Sequence, residues 1–106
     1  MAKLIVKTNM NSGAIELSSS KKIEKELNQA KKFFLERGFS KDFTDSILAQ
    51  YILVNLSDYK EKRRLYNISN EDINDIPIFE GIYILDKESL IKGIQSAISS
   101  LLEEDF

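Results

Sequence analysis

Asn70, Asp72 and Asn74 stand at alternate positions, the spacing at which the first half of a calcium loop presents its oxygens. The second half does not follow. Asp75 stands where such a loop needs Gly for its sharp turn, and Gly81 stands where it needs a bidentate acid. The stretch therefore reads as a capped polar loop. Carboxylates also recur in pairs: Asp42 with Asp45, Glu71 with Asp72, Glu103 with Glu104. Two carboxylates can divide acid–base work when burial separates their pKa values. These pairs fall at a helix start, in a polar loop and at the terminus, where the helix dipole and solvent already favour acids.

The chain has no His and no Cys. That removes the commonest general base, a thiol nucleophile, a Ser–His–Asp triad and any thiolate or imidazole metal site. The four Gly, at 13, 38, 81 and 93, are too scattered for a phosphate-cradling loop. A non-enzymatic protein with no cofactor and no metal is expected.

Positive charge is the other chemistry on offer. Lys60, Lys62, Arg63 and Arg64 form the densest basic run, flanked by Tyr59 and Tyr66. Residues 1–66 carry 13 Lys and Arg against 8 Asp and Glu, whereas residues 67–106 carry 2 against 9. Aromatic and basic residues together suit a protein interface or a nucleic-acid backbone. The candidate contacts are Lys3, Lys7, Lys21, Lys25, Tyr59, Lys60, Lys62, Arg63, Arg64 and Tyr66. A strand with Lys3, Ile5 and Lys7 on one face, followed by helices meeting at Gly38-Phe39-Ser40, resembles the ribbon–helix–helix DNA-binding proteins over residues 2–56 at most. The resemblance implies a dimer that lays a two-stranded ribbon in the major groove. The chain departs from that pattern at Asn9–Ser20, which reads as a turn and a second strand.

These residues must be positioned by a small number of elements. Lys3–Thr8 alternates, with Leu4 and Val6 on one side and Lys3, Ile5 and Lys7 on the other. Asn9–Gly13 is turn-forming and Ala14–Leu17 returns, which predicts a hairpin. A first helix is expected from Lys21 to Arg37, with Ile23, Leu27, Ala30 and Phe34 on its apolar face, and with Gly38 as its stop. Ser40 caps a second helix from Lys41 to Asp58, whose apolar centre predicts burial nearly all round. Ile78–Leu85 reads as a strand apolar on both faces, hence central in a sheet. Asp86 caps a last helix, Lys87–Glu103, with Leu90, Ile94, Ala97 and Leu101 in one stripe widened by Ile91, Ile98 and Leu102. Gly93 falls on its polar side.

The order β-β-α-α-β-α predicts one α+β domain over residues 1–106, a short, mainly antiparallel sheet packed against three helices. The longest apolar stretch, Ile47–Leu56, is interrupted by Gln50 and Asn55 and falls short of the roughly 20 residues a bilayer span needs. The run Leu4-Ile5-Val6 is too short for a secretion signal, so a cytoplasmic location is expected. Richness in Asn, Ile and Lys suits an AT-rich bacterial or phage gene. The leading expectation is a binding protein acting through protein contacts, an adaptor, inhibitor or immunity-type factor. The wide stripe of the last helix suggests a homodimer. The alternative is a small dimeric double-stranded-DNA-binding accessory or regulatory protein using the basic N-terminal 66 residues.

Overall fold

The computed structural model describes residues 2–54, 56, 78 and 80–104. The elements are β1 (Ala2–Thr8), β2 (Ile15–Ser19), α1 (Lys21–Glu36), α2 (Lys41–Leu53), β3 (Gly81–Leu85) and α3 (Lys87–Glu104). They form the expected α+β arrangement. One antiparallel sheet has strand order β2-β1-β3.

The hairpin closes through Asn9. Its amide hydrogen bonds to Ala14 O at 2.8 Å, and its Oδ1 accepts from Asn11 N and Ser12 N. Gly13 takes φ +73°, a conformation that costs a side-chain-bearing residue but not glycine. At the far end Lys3 N donates to Ser20 Oγ, so this hydroxyl finishes the hairpin and does not cap α1. Ser40 does cap α2, accepting from Phe43 N at 3.1 Å, and Asp86 caps α3, accepting from Ser89 N at 2.7 Å.

Helices cover one face of the sheet. Ala2, Leu4 and Val6 of β1, Leu17 of β2, and Tyr83 and Leu85 of β3 are buried against Ile23, Leu27 and Phe34 of α1, Leu48 and Ile52 of α2, and Leu90 and Ala97 of α3. The predicted stripes of α1 and α3 are therefore the buried ones. Tyr51 of α2 is half-buried and donates to Ser100 Oγ at 2.6 Å. No helix among the described residues is long and apolar enough to cross a membrane.

Four expectations are corrected. Among the described strands β3 lies at an edge and β1 is central. The apolar residues of β3 are not all buried: Tyr83 and Leu85 enter the core, whereas Ile82 and Ile84 face away from it. α2 ends at Leu53, with Val54 as its C-cap, rather than at Asp58. Gly93 lies at a buried interface and not on a polar side, because α2 crosses α3 there so closely that a Cβ at 93 would stand 2.6 Å from Ile52 Cα. The central place of β1 also sets this chain apart from the ribbon–helix–helix pattern. Both flanks of β1 are paired within the chain, so it cannot supply the ribbon between two subunits.

Candidate functional site

The sheet's other face, helix-free among the described residues, is built by alternation. With Leu4 and Val6 turned into the core, Lys3, Ile5 and Lys7 must turn away from it. The register places Ile5 between Ser18 and Ile82, Lys3 opposite Ile84, and Lys7 opposite Glu16. Ile82 is 63% exposed, Ile84 is 54% exposed, and Ile5 is partly exposed. Three isoleucines thus form an apolar patch beside two lysines, on the β3 side of the sheet.

The two edges of the sheet differ. In an antiparallel ladder successive residues turn their N–H and C=O groups to opposite neighbours. Ser20 N donates to Lys3 O and Asn9 N to Ala14 O, which fixes Lys3, Ile5 and Lys7 as the residues bonded toward β2. Ala2, Leu4 and Val6 are then bonded toward β3, where they meet Leu85, Tyr83 and Gly81. The backbone groups of Ile15, Leu17 and Ser19 on β2 and of Ile82 and Ile84 on β3 consequently point outward.

At Leu17, midway along β2, two helical side chains take the place of a further strand. Leu17 N donates to Asp45 Oδ2 of α2 at 3.1 Å, and Leu17 O accepts from Lys31 Nζ of α1. Lys31 Nζ also lies 3.4 Å from Asp45 Oδ1, so the two side chains neutralise one another. Asp45 is 2% exposed. A buried carboxylate is tolerated where charge and hydrogen bonds compensate it. Here Oδ2 has the bond from Leu17 N, and Oδ1 has the Lys31 charge beside it but no hydrogen bond. At β3 no described residue pairs with the outward groups of Ile82 and Ile84.

The predicted basic site is divided by the fold. Lys3 and Lys7 lie on the helix-free face, whereas Lys21 and Lys25 lie on the exposed side of α1, in the layer covering the opposite face. Tyr59, Lys60, Lys62, Arg63, Arg64 and Tyr66 lie outside the described residues, as do Asn70, Asp72 and Asn74. Among the described residues no three acidic side chains gather closely enough to hold a metal ion. Of the carboxylate pairs, Asp42 is exposed and Asp45 is buried, so Asp45 is not the solvated helix-start acid expected. Two other acids are held below the usual carboxylate range. Glu26 is held there chiefly by the hydrogen bond from Lys87 at 2.7 Å, and Asp86 chiefly by that from Ser89 N. The first contact joins α3 to α1 and the second caps α3.

The apolar excess that suggested a seam on the last helix is small. Leu90, Ile94, Ala97 and Leu101 are buried, Ile98 is half-buried, and Ile91 and Leu102 alone of that set are exposed. The candidate-site residues that sequence reasoning missed are Ile82 and Ile84, and it missed the edge-covering pair Lys31 and Asp45 as well. A signal for Asp45 exists: it precedes Leu48, Ala49 and Ile52 by three, four and seven residues, which puts a carboxylate on the apolar stripe of its helix. Compared with protein-family models, curated proteins and solved structures, the chain matches none.

Proposed function

We propose that this chain is a non-enzymatic binding protein that works through protein contacts made by the helix-free face of its sheet. The observation that carries the reading is the exposure of Ile82 and Ile84 there, next to Ile5. Single exposed aliphatics are ordinary, but three adjacent ones on a flat strand surface mark a contact surface or an aggregation hazard. Lys3 and Lys7 keep the surface wet in the free protein and can extend their alkyl stems along an apolar partner. The separation of Lys3 and Lys7 from Lys21 and Lys25 gives the DNA alternative no continuous stripe among the described residues.

The test is a photo-crosslinking amino acid at position 84, and for reference at position 24 on exposed α1, in cells that make the chain. A discrete protein adduct is expected from position 84, weak or absent from position 24, and lost when Ile5 and Ile82 are both changed to Lys. Equal adducts from both positions, no protein adduct, or duplex DNA recovered in its place would overturn the proposal.

A further inference from the structure

We infer that β3 accepts one additional antiparallel strand, supplied by a partner protein in an extended segment that alternates two apolar residues between basic ends. The inference rests on the functional reading above and names the mode of contact and the chemistry of the partner.

Exposed sheet edges invite pairing with other chains, and folded proteins usually blunt them with charge, proline, bulges or a covering element. Among the described residues, this chain covers its β2 edge at Leu17 and leaves the β3 edge uncovered. The outward groups of Leu17 are occupied by Asp45 and Lys31, two side chains brought from separate helices. The outward groups of Ile82 and Ile84 have no partner among the described residues, and neither strand position carries a charge or a proline. An added antiparallel strand would form two hydrogen-bonded pairs there, one with each isoleucine. Main-chain bonds of this kind supply attachment, and the alternate side chains supply selectivity.

The side-chain pattern of the partner follows from what borders the edge. Glu80 immediately precedes β3 and Asp86 immediately follows it, and both are exposed. On its inner side β3 pairs with a strand that fits this pattern at two positions, Ile5 opposite Ile82 and Lys7 in line with Glu80, and departs from it at Lys3 opposite Ile84. A strand on the outer side meets the same residues, so it is matched by apolar side chains opposite Ile82 and Ile84 and by basic ones opposite Glu80 and Asp86. A second copy is a poorer match. Two β3 strands overlapping over their full length would place Tyr83 opposite Tyr83 and Ile82 opposite Ile84. Glu80 of each copy would then be in line with Asp86 of the other, and like charges opposite one another repel.

The probe is a synthetic heptapeptide with lysine at both ends, isoleucine at its third and fifth positions and threonine between. It is titrated into the full-length, isotopically labelled chain and followed by fluorescence anisotropy and amide hydrogen exchange. Saturable binding is expected, with new exchange protection at Ile82 and Ile84 and none gained at Leu17. Methylating the peptide nitrogens at its third and fifth residues should abolish binding. Replacing both lysines by glutamate should weaken it about tenfold at low salt. Ile82→Pro, which removes an outward N–H, should lose the peptide. Ile84→Lys, which keeps the backbone donor and cannot be dismissed as a folding failure if its spectrum is native, should bind it more weakly. No saturation at millimolar peptide, equal binding of the methylated peptide, or self-association that protects Ile82 and Ile84 without peptide would overturn the inference. A peptide failure beside a persistent adduct at position 84 removes the added strand and leaves the functional reading standing; loss of the adduct removes both.

Discussion

Gly93→Ala should destabilise this protein although it places a better helix former in the interior of a helix. In an open helical position the exchange would stabilise by about 1 kcal/mol, because alanine loses less backbone entropy than glycine. Here the added Cβ would stand 2.6 Å from Ile52 Cα and 2.8 Å from Ile52 Cγ1. Carbon atoms rest at about 3.5–4.0 Å, so the contact is about 1 Å too short. The nearest obstacle is backbone, and a rotamer change at Ile52 cannot clear it. The α2–α3 crossing has to open. Overpacking costs typically 1–3 kcal/mol, and a backbone obstacle puts this case at about 3. Set against the helical gain, the net loss is about 2 kcal/mol, or a fall in Tm of about 10 °C for a domain near this size. Urea and thermal unfolding by circular dichroism would measure it, with Ser96→Ala on the exposed side of α3 as the reference for propensity alone. A Gly93→Ala protein as stable as its parent would show that the two helices do not cross at this distance.

Asp45→Ala should cost ~3 kcal/mol in urea unfolding. That is the low end for breaking a buried pair, because Lys31 at 19% exposure retains access to water. It should also promote concentration-dependent association by light scattering, since Leu17 N is left without its acceptor at the sheet edge. Lowering the pH should destabilise the fold through Glu26 and Asp86, whose folded pKa values lie below their unfolded ones. Their contribution is complete above the ordinary carboxylate range and is lost as pH falls from about 4–5 through the lower folded values. Glu26→Gln and Asp86→Asn should each flatten the decline of Tm below that range, and an unchanged acid slope would count against both contacts. Ile94→Asp should be among the most damaging substitutions, costing several kcal/mol by placing an unpaired carboxylate on the buried stripe of α3. Ile84→Lys, on the open face, should change stability by no more than ~0.5 kcal/mol in the same unfolding assay.

The legible parts of the fold were those in which periodicity and burial coincide. Ile23, Leu27, Ala30 and Phe34 recur on one side of α1, and all four are in the core. Leu4 and Val6 alternate with Lys3, Ile5 and Lys7 on β1, and the sheet buries the first pair only. Ser40 and Asp86 announce their helices by residue type, and both side chains make the capping bond. Where burial and pattern part, the sequence misleads. Gly-Ile-Tyr-Ile-Leu is apolar at every side-chain-bearing position, which a central strand buried on both faces also shows. The difference lies in the neighbours, and strand order is not encoded in the strand itself. Gly93 fails for a related reason. A glycine on a helix among Ser, Gln and Lys resembles a polar-side residue until the partner helix is placed against it.

The same separation of local and non-local information governs the candidate site. A single sequence shows Lys31 as one of several lysines on α1 and Asp45 as one of two acids near the start of α2. Only the tertiary fold brings them, from positions 14 residues apart, onto the two backbone groups of Leu17. Neither side chain alone would close that edge: a lysine without the carboxylate leaves the amide donor unpaired, and a carboxylate without the lysine is a buried charge. Among the described residues β3 has no corresponding pair. Among the described residues, helical side chains cover the β2 edge at Leu17, and the β3 edge, which none of them bonds, carries the exposed isoleucines. The proposed pairing at β3 and the protection of Leu17 at β2 are therefore separable by mutation. Changes at Asp45 should act on stability and non-specific association, whereas changes at Ile82 and Ile84 should act on the partner and leave the fold in place.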